Sequence, residues 1–111
     1  MSDAAPRSIV LAPASLPAEG ELRGVEAGGV RILLARVGGR LHALDDVCNH
    51  AGCLLSRGTV AAGRVTCPCH YMSFDLRDGR LLSSPRLAGD QRTFEVREEG
   101  GAAVVLVPAG D

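Results

Sequence analysis

The stretch from Cys48 to His70 reads C-N-H-A-G-C, then thirteen residues, then C-P-C-H. All four cysteines and two of the three histidines of this 111-residue chain fall inside it. Cys48 and His50 form a C-x-H pair and Cys67 and His70 a C-x-x-H pair, with sixteen residues between His50 and Cys67. Two mixed sulfur–nitrogen pairs at the two ends of one excursion ask for a fold that brings two loops face to face. That requirement constrains the chain more than its composition does.

The rest of the sequence describes a scaffold for those loops. Fourteen glycines punctuate short apolar runs every eight to twelve residues, the rhythm of an all-β sandwich or barrel. Ile9 to Leu11 suits a short edge strand. Leu22 to Glu26, Gly28-Gly29 and Val30 to Val37 read as a hairpin, because paired glycines supply the positive φ that a two-residue turn demands. Gly38-Gly39 leads into Arg40 to Leu44, where His42 is a polar strand position outside both ligand pairs. Val60 to Val65 reads as a small hairpin that spaces the loops. Phe74 to Leu82 reads as a hairpin with Asp78-Gly79 as a type I′ turn. Thr93 to Arg97 and Ala103 to Val107, joined by Gly100-Gly101, are expected to close the base sheet.

Thiolates are the usual iron–sulfur ligands, and two imidazoles in place of two thiolates on one iron raise the potential by removing negative charge. The order C-x-H, sixteen residues, C-x-x-H resembles the Rieske 2Fe–2S signature, and the likeness includes Gly52 after the first pair and Phe74-Asp75 after the second. The resemblance implies an all-β fold, a Rieske-like antiparallel sandwich with an inserted two-loop cluster-binding subdomain. Residues 1–111 would form a single Rieske domain, with about 45–85 as the cluster-binding subdomain and 7–44 and 86–108 as base β-sheets. Cys48 and Cys67 would hold one iron, and His50 and His70 the other through Nδ1. A structural zinc site in an interaction module could use the same four residues, although zinc fingers usually pair like ligands with like.

In cytochrome bc-type Rieske proteins, cysteines at the places of Cys53 and Cys69 form a disulfide, and the same bond is expected here. Two free thiols are the other reading, favoured by a reducing compartment. High-potential members of the family carry Ser and Tyr at the places of Met72 and Phe74, whose hydroxyls donate to sulfur. Neither residue here can donate, so the potential is expected in the lower part of the range of about −150 to +300 mV. Tyr71 stands where the family usually has Gly, and Pro85 is the candidate for a proline-bearing loop over the cluster.

By resemblance the protein is a one-electron carrier rather than an enzyme, most like a small stand-alone Rieske-type ferredoxin. Its partners would be a flavin-dependent reductase and a terminal oxygenase or other redox protein. The other reading keeps it as the small Rieske subunit of a larger oxidoreductase, of the nitrite reductase, arsenite oxidase or cytochrome bc type. Ala51, Gly52, Cys53 and Leu54, with Tyr71 and Met72, would form an apolar contact patch. A net charge of −1 argues against a nucleic-acid or anionic-membrane surface. With only Tyr71, Phe74 and Phe94 aromatic there is no base-stacking platform. No apolar run approaches a signal peptide or a membrane anchor, so the chain is expected in the cytoplasm.

Overall fold

A computed structural model describes residues 7–49, 52–69, 71–83 and 89–108. His50, Ala51, His70 and Pro85 lie outside the described residues. The strands are β1 (Arg7–Leu11), β2 (Leu22–Ala27), β3 (Val30–Val37), β4 (Arg40–Asp45), β5 (Thr59–Ala61), β6 (Arg64–Thr66), β7 (Ser73–Asp75), β8 (Thr93–Phe94), β9 (Val96–Glu99) and β10 (Ala102–Val107). They form three antiparallel sheets, ordered β1-β10-β9, β2-β3-β4-β8 and β5-β6-β7. Short 3-10 turns at Pro13–Ser15 and Leu55–Arg57 are the only helical pieces among the described residues.

Strand β3 is the centre of the molecule. Ile32, Leu33, Leu34 and Ala35 are all fully buried, so both faces of this strand are covered. Alternation along a strand sends neighbours to opposite faces. Ile32 and Leu34 therefore enter one core with Leu11, Leu41, Phe94, Ala103, Val105 and Val107. Leu33 and Ala35 enter a second core with Leu44, Leu55, Val65, Phe74, Leu76 and Leu81. The first core joins the two base sheets, and the second seats β5-β6-β7 on the back of β3 and β4. Each fully buried Leu, Ile or Val contributes about 1.5–3 kcal/mol relative to an exposed one.

The glycine-pair hairpins form as the sequence suggests. Gly28 and Gly29 both take positive φ, at 60° and 82°, and β2 pairs with β3 in the register Ala27↔Val30. At the β5–β6 turn Ala62 takes the first such position, with φ 53°.

Two expectations are corrected. The run Thr93 to Arg97 is not one strand of the base sheet. Phe94 pairs with Ala43 of β4, whereas Val96 pairs with Val105 of β10, so the chain changes sheet at Glu95. Phe94 and Val105 pack in the shared core, and the sheet change lets one run serve both layers. Asp78-Gly79 does not form a two-residue type I′ turn either. Only Gly79 has positive φ, and the loop spans residues 76–79, with Asp75 N–H bonded to Arg80 O at 2.9 Å and Gly79 N–H to Asp75 O at 2.7 Å. The longer loop turns Leu76, 2% exposed, into the second core, which a tight turn at 78–79 would not allow.

Candidate metal centre

Two of the loops that carry the cysteines share one backbone design. In the first, Cys48 N–H donates to Cys53 O at 2.8 Å and Gly52 N–H to Cys48 O at 2.9 Å. In the second, Cys67 N–H donates to Met72 O at 2.8 Å and Tyr71 N–H to Cys67 O at 3.0 Å. Each loop thus begins at a cysteine, closes a five-residue α-turn, and pairs its first residue with its sixth. The fifth residue is left-handed in both, Gly52 at φ 73° and Tyr71 at φ 58°. The loop 75–80 repeats the pattern with Gly79 at φ 75° and no cysteine. Tyr71 is the odd member of the three, a bulky residue in a conformation that favours glycine. It is also 74% exposed, so packing does not account for it.

The two leading cysteines sit deep. Cys48 is 1% and Cys67 0% exposed, both inside the second core, and neither is in a disulfide. Cys53 and Cys69 are joined by a disulfide with Cα atoms 6.4 Å apart, which ties one loop to the other. The expected disulfide is therefore present. The Cys67 sulfur lies within 4.8 Å of both disulfide sulfurs. Disulfide sulfurs are spent as ligands, so this grouping marks how closely the two loops approach rather than a three-thiolate site.

The base of the first loop is clamped by a buried charge. Asp46 is fully buried; its carboxylate accepts from Ser56 N–H at 2.7 Å, Ser56 Oγ at 2.8 Å and Arg31 Nε at 3.0 Å. Its own N–H reaches Arg31 O at 3.0 Å and its carbonyl takes Leu55 N–H at 2.7 Å. Every polar atom is thus paired, as a buried carboxylate requires. Gly24 faces this clamp because any Cβ there would come within 2.7 Å of Asp46 Oδ2, Arg31 and Ser56 Oγ. In the sequence, a carboxylate two residues before Cys48 gives no sign of its partners at positions 31 and 56.

Met72 and Phe74 are both buried, and neither presents a hydroxyl. Ser73 points away, its Oγ 3.0 Å from Thr66 Oγ1. Met72, at 6% exposure, therefore does not belong to the exposed contact patch; Gly52 is exposed, and Cys53 and Leu54 are half-buried. Tyr71 is the large exposed side chain of the second loop. His42 is half-buried on β4, its pKa lowered chiefly by burial and then by Arg40, in keeping with a polar strand position.

The donor set fits a metal cluster. Two buried thiols that escape the disulfide open two matched loops held together beside them, a placement that a pair of inert core cysteines would not require. Such a two-loop metal claw on a β scaffold defines a class of small metalloprotein. Over residues 7–106 the sequence matches the Rieske [2Fe-2S] domain, and the chain belongs to that family. The cofactor of the family is a Rieske-type 2Fe–2S cluster. The chain is 38% identical over 77 residues to the sulredoxin of Sulfurisphaera tokodaii (strain DSM 16993 / JCM 10545 / NBRC 100140 / 7), covering 63% of this chain and 71% of that one. It is 36% identical over 93 residues to the biphenyl 2,3-dioxygenase ferredoxin component of Rhodococcus jostii (strain RHA1), covering 84% and 86%. A structure of the complex of reduced oxygenase and oxidized ferredoxin in carbazole 1,9a-dioxygenase superposes with a TM-score of 0.77 at 30% identity, covering 88% of this chain and 90% of that one. Among the described residues, no helix is long and apolar enough to cross a membrane.

Proposed function

We propose that this protein is a Rieske-type ferredoxin, a one-electron carrier between a flavin-dependent reductase and a terminal oxygenase or a related oxidoreductase. The observation that carries the reading is the pair of identically closed loops, each opening on a buried cysteine and locked to the other through Cys53–Cys69. Cys48 and Cys67 hold one iron as thiolates, and His50 and His70 hold the other as neutral imidazoles. Residues 45–85 act as the cluster-binding subdomain on the base sheets 7–44 and 86–108. When bound, the cluster supplies one reversible electron.

The remaining roles fall to the protein. Leu33, Leu44, Leu55, Val65, Phe74 and Leu81 keep water from the thiolate side. Met72 and Phe74 donate no hydrogen bond to sulfur, so the potential lies in the lower part of the range of about −150 to +300 mV. Gly52 and Tyr71 form the exposed rim, suited to a small, transient encounter. The ferredoxin relatives are named as components of dioxygenase systems, which supports the oxygenase as acceptor and a cytoplasmic setting.

Anaerobic purification followed by iron and sulfide analysis tests the assignment. Two irons and two acid-labile sulfides per chain are expected, with a rhombic signal on reduction. Cys48→Ser and Cys67→Ser should each lose that signal; its survival in both would overturn the ligand set.

A further inference from the structure

Besides Asp46, the buried polar side chain among the described residues is Gln91, 4% exposed. Its backbone is fixed from outside the metal loops. Gln91 N–H donates to Gly79 O at 2.7 Å, and a Cβ on Gly79 would collide with the Gln91 carbonyl. From this anchor the side chain reaches across to the segment that leads into the first loop. Gln91 Nε2 donates to Asp45 O and to Val47 O, each at 2.7 Å. Gln91 Oε1 accepts from Asn49 N–H at 3.2 Å and from Asn49 Nδ2 at 2.7 Å. Asn49 in turn exchanges two bonds with Gly89, Nδ2 to Gly89 O and Gly89 N–H to Oδ1, both at 3.0 Å.

A primary amide has two donor hydrogens and two acceptor lone pairs, and here all four are used. Three of its partners are main-chain groups at residues 45, 47 and 49, and the fourth is the Asn49 side-chain amide. The side-chain amide thus stands in for the peptide group of a neighbouring strand that this segment lacks. Cys48 lies between two of the bonded residues and is buried in the second core. Any twist of residues 45–49 that moved Cys48 would break several of these bonds at once. Loss of the Gln91 amide would remove the donors that Asp45 O and Val47 O accept from.

We infer that Gln91, working with Asn49, is the positioning residue for Cys48 in the first limb of the cluster site. It sets the orientation of that limb from the β8 side, whereas Asp46 clamps its base. The inference rests on the reading of Cys48 as a ligand.

The test compares Gln91→Leu, Gln91→Glu and Asn49→Ala in the holoprotein, with Val105→Ala in the distant core as a control of similar destabilisation. Gln91→Leu removes all four bonds. Gln91→Glu keeps the acceptor for Asn49 and loses the donors to Asp45 O and Val47 O. Partners that orient metal ligands typically change metal affinity by ~10–100-fold. Iron release to a chelator is expected to accelerate by that order in Gln91→Leu, with altered g-values in the reduced protein and rapid exchange of the Asn49 amide. Gln91→Glu is expected to accelerate release less, and Asn49→Ala less again. Val105→Ala is expected to leave release, g-values and amide exchange unchanged. Wild-type release and g-values in Gln91→Leu and Gln91→Glu would overturn the inference, as would equal changes in Val105→Ala. A Cys48→Ser protein that keeps the wild-type signal would instead overturn the ligand reading beneath it.

Discussion

Tyr71 offers a measurement in which backbone strain can be read with its sign reversed from the usual one. Its φ of 58° places an L side chain where the corresponding residues of the sister loops, Gly52 and Gly79, carry none. A left-handed conformation costs an L residue roughly 1–2 kcal/mol, and glycine escapes it. Glycine adds unfolded-state freedom worth about 0.5–1 kcal/mol relative to alanine. The balance favours glycine over alanine at this position by about 1 kcal/mol. At an ordinary strand position alanine would win by a similar amount. Tyr71→Gly and Tyr71→Ala both remove a side chain that is 74% exposed, so their difference isolates the main chain. Urea unfolding of the anaerobic holoprotein should place the Tyr71→Gly midpoint about 0.5 M above that of Tyr71→Ala, for a slope of roughly 2 kcal/mol per molar. Gly52→Ala should lose about 1 kcal/mol for conformational reasons alone, since nothing lies within 4 Å of its Cβ position. If Tyr71→Gly unfolds at or below Tyr71→Ala, or Gly52→Ala is neutral, the shared loop design is wrong.

Other outcomes follow from features already described. Asp46→Ala leaves Ser56 N–H and the Arg31 guanidinium facing a gap, and should destabilise by ~3 kcal/mol in the same urea assay; Asp46→Asn should lose less. Paired Cys53→Ser and Cys69→Ser substitutions should reduce stability by ~3 kcal/mol, the chain-entropy value for a loop of about this length. Native protein alkylated without reductant should show neither Cys53 nor Cys69 modified. The Arg77 guanidinium and the Arg77 N–H hold the Asp75 carboxyl at about 2, below its ordinary value of 3.8. The stability this provides is complete above the unfolded value and fades as pH falls from about 4 through 2. Asp75→Asn should remove this contribution, lowering stability by a constant amount near neutrality and flattening the profile between about pH 4 and 2, where variant and wild type converge.

What the sequence reveals divides by range. The glycine-pair hairpins are local signals, and the structure follows them. The four cysteines are equally plain, because their spacing is itself the signal, and the structure buries Cys48 and Cys67 in one core. His50 and His70, the expected histidine ligands, lie outside the described residues. The type I′ expectation at Asp78-Gly79 failed because Leu76 needs to reach the core. A closer comparison of C-x-x-x-G-C with D-x-x-x-G-R would have found the common glycine at the fifth place. The sheet change at Glu95 leaves no local mark, since both flanking residues are apolar. Nor do the long-range polar links of Asp46 to residues 31 and 56, or of Gln91 to residues 45–49. Each links residues 10–46 positions apart, and only the finished fold brings them together.

Strand β8 lies directly beside β4, with Ala43 opposite Phe94 and Asp45 N–H bonded to Arg92 O at 2.8 Å. The excursion that carries the metal loops therefore leaves and re-enters the scaffold through one narrow doorway, about a single strand spacing of 4.7–4.9 Å wide. Peptides that begin and finish so close together can be lengthened, trimmed or exchanged with little disturbance to the layers that mount them. The paired sheets beneath can thus stay constant while the head they carry is reshaped for a different redox companion.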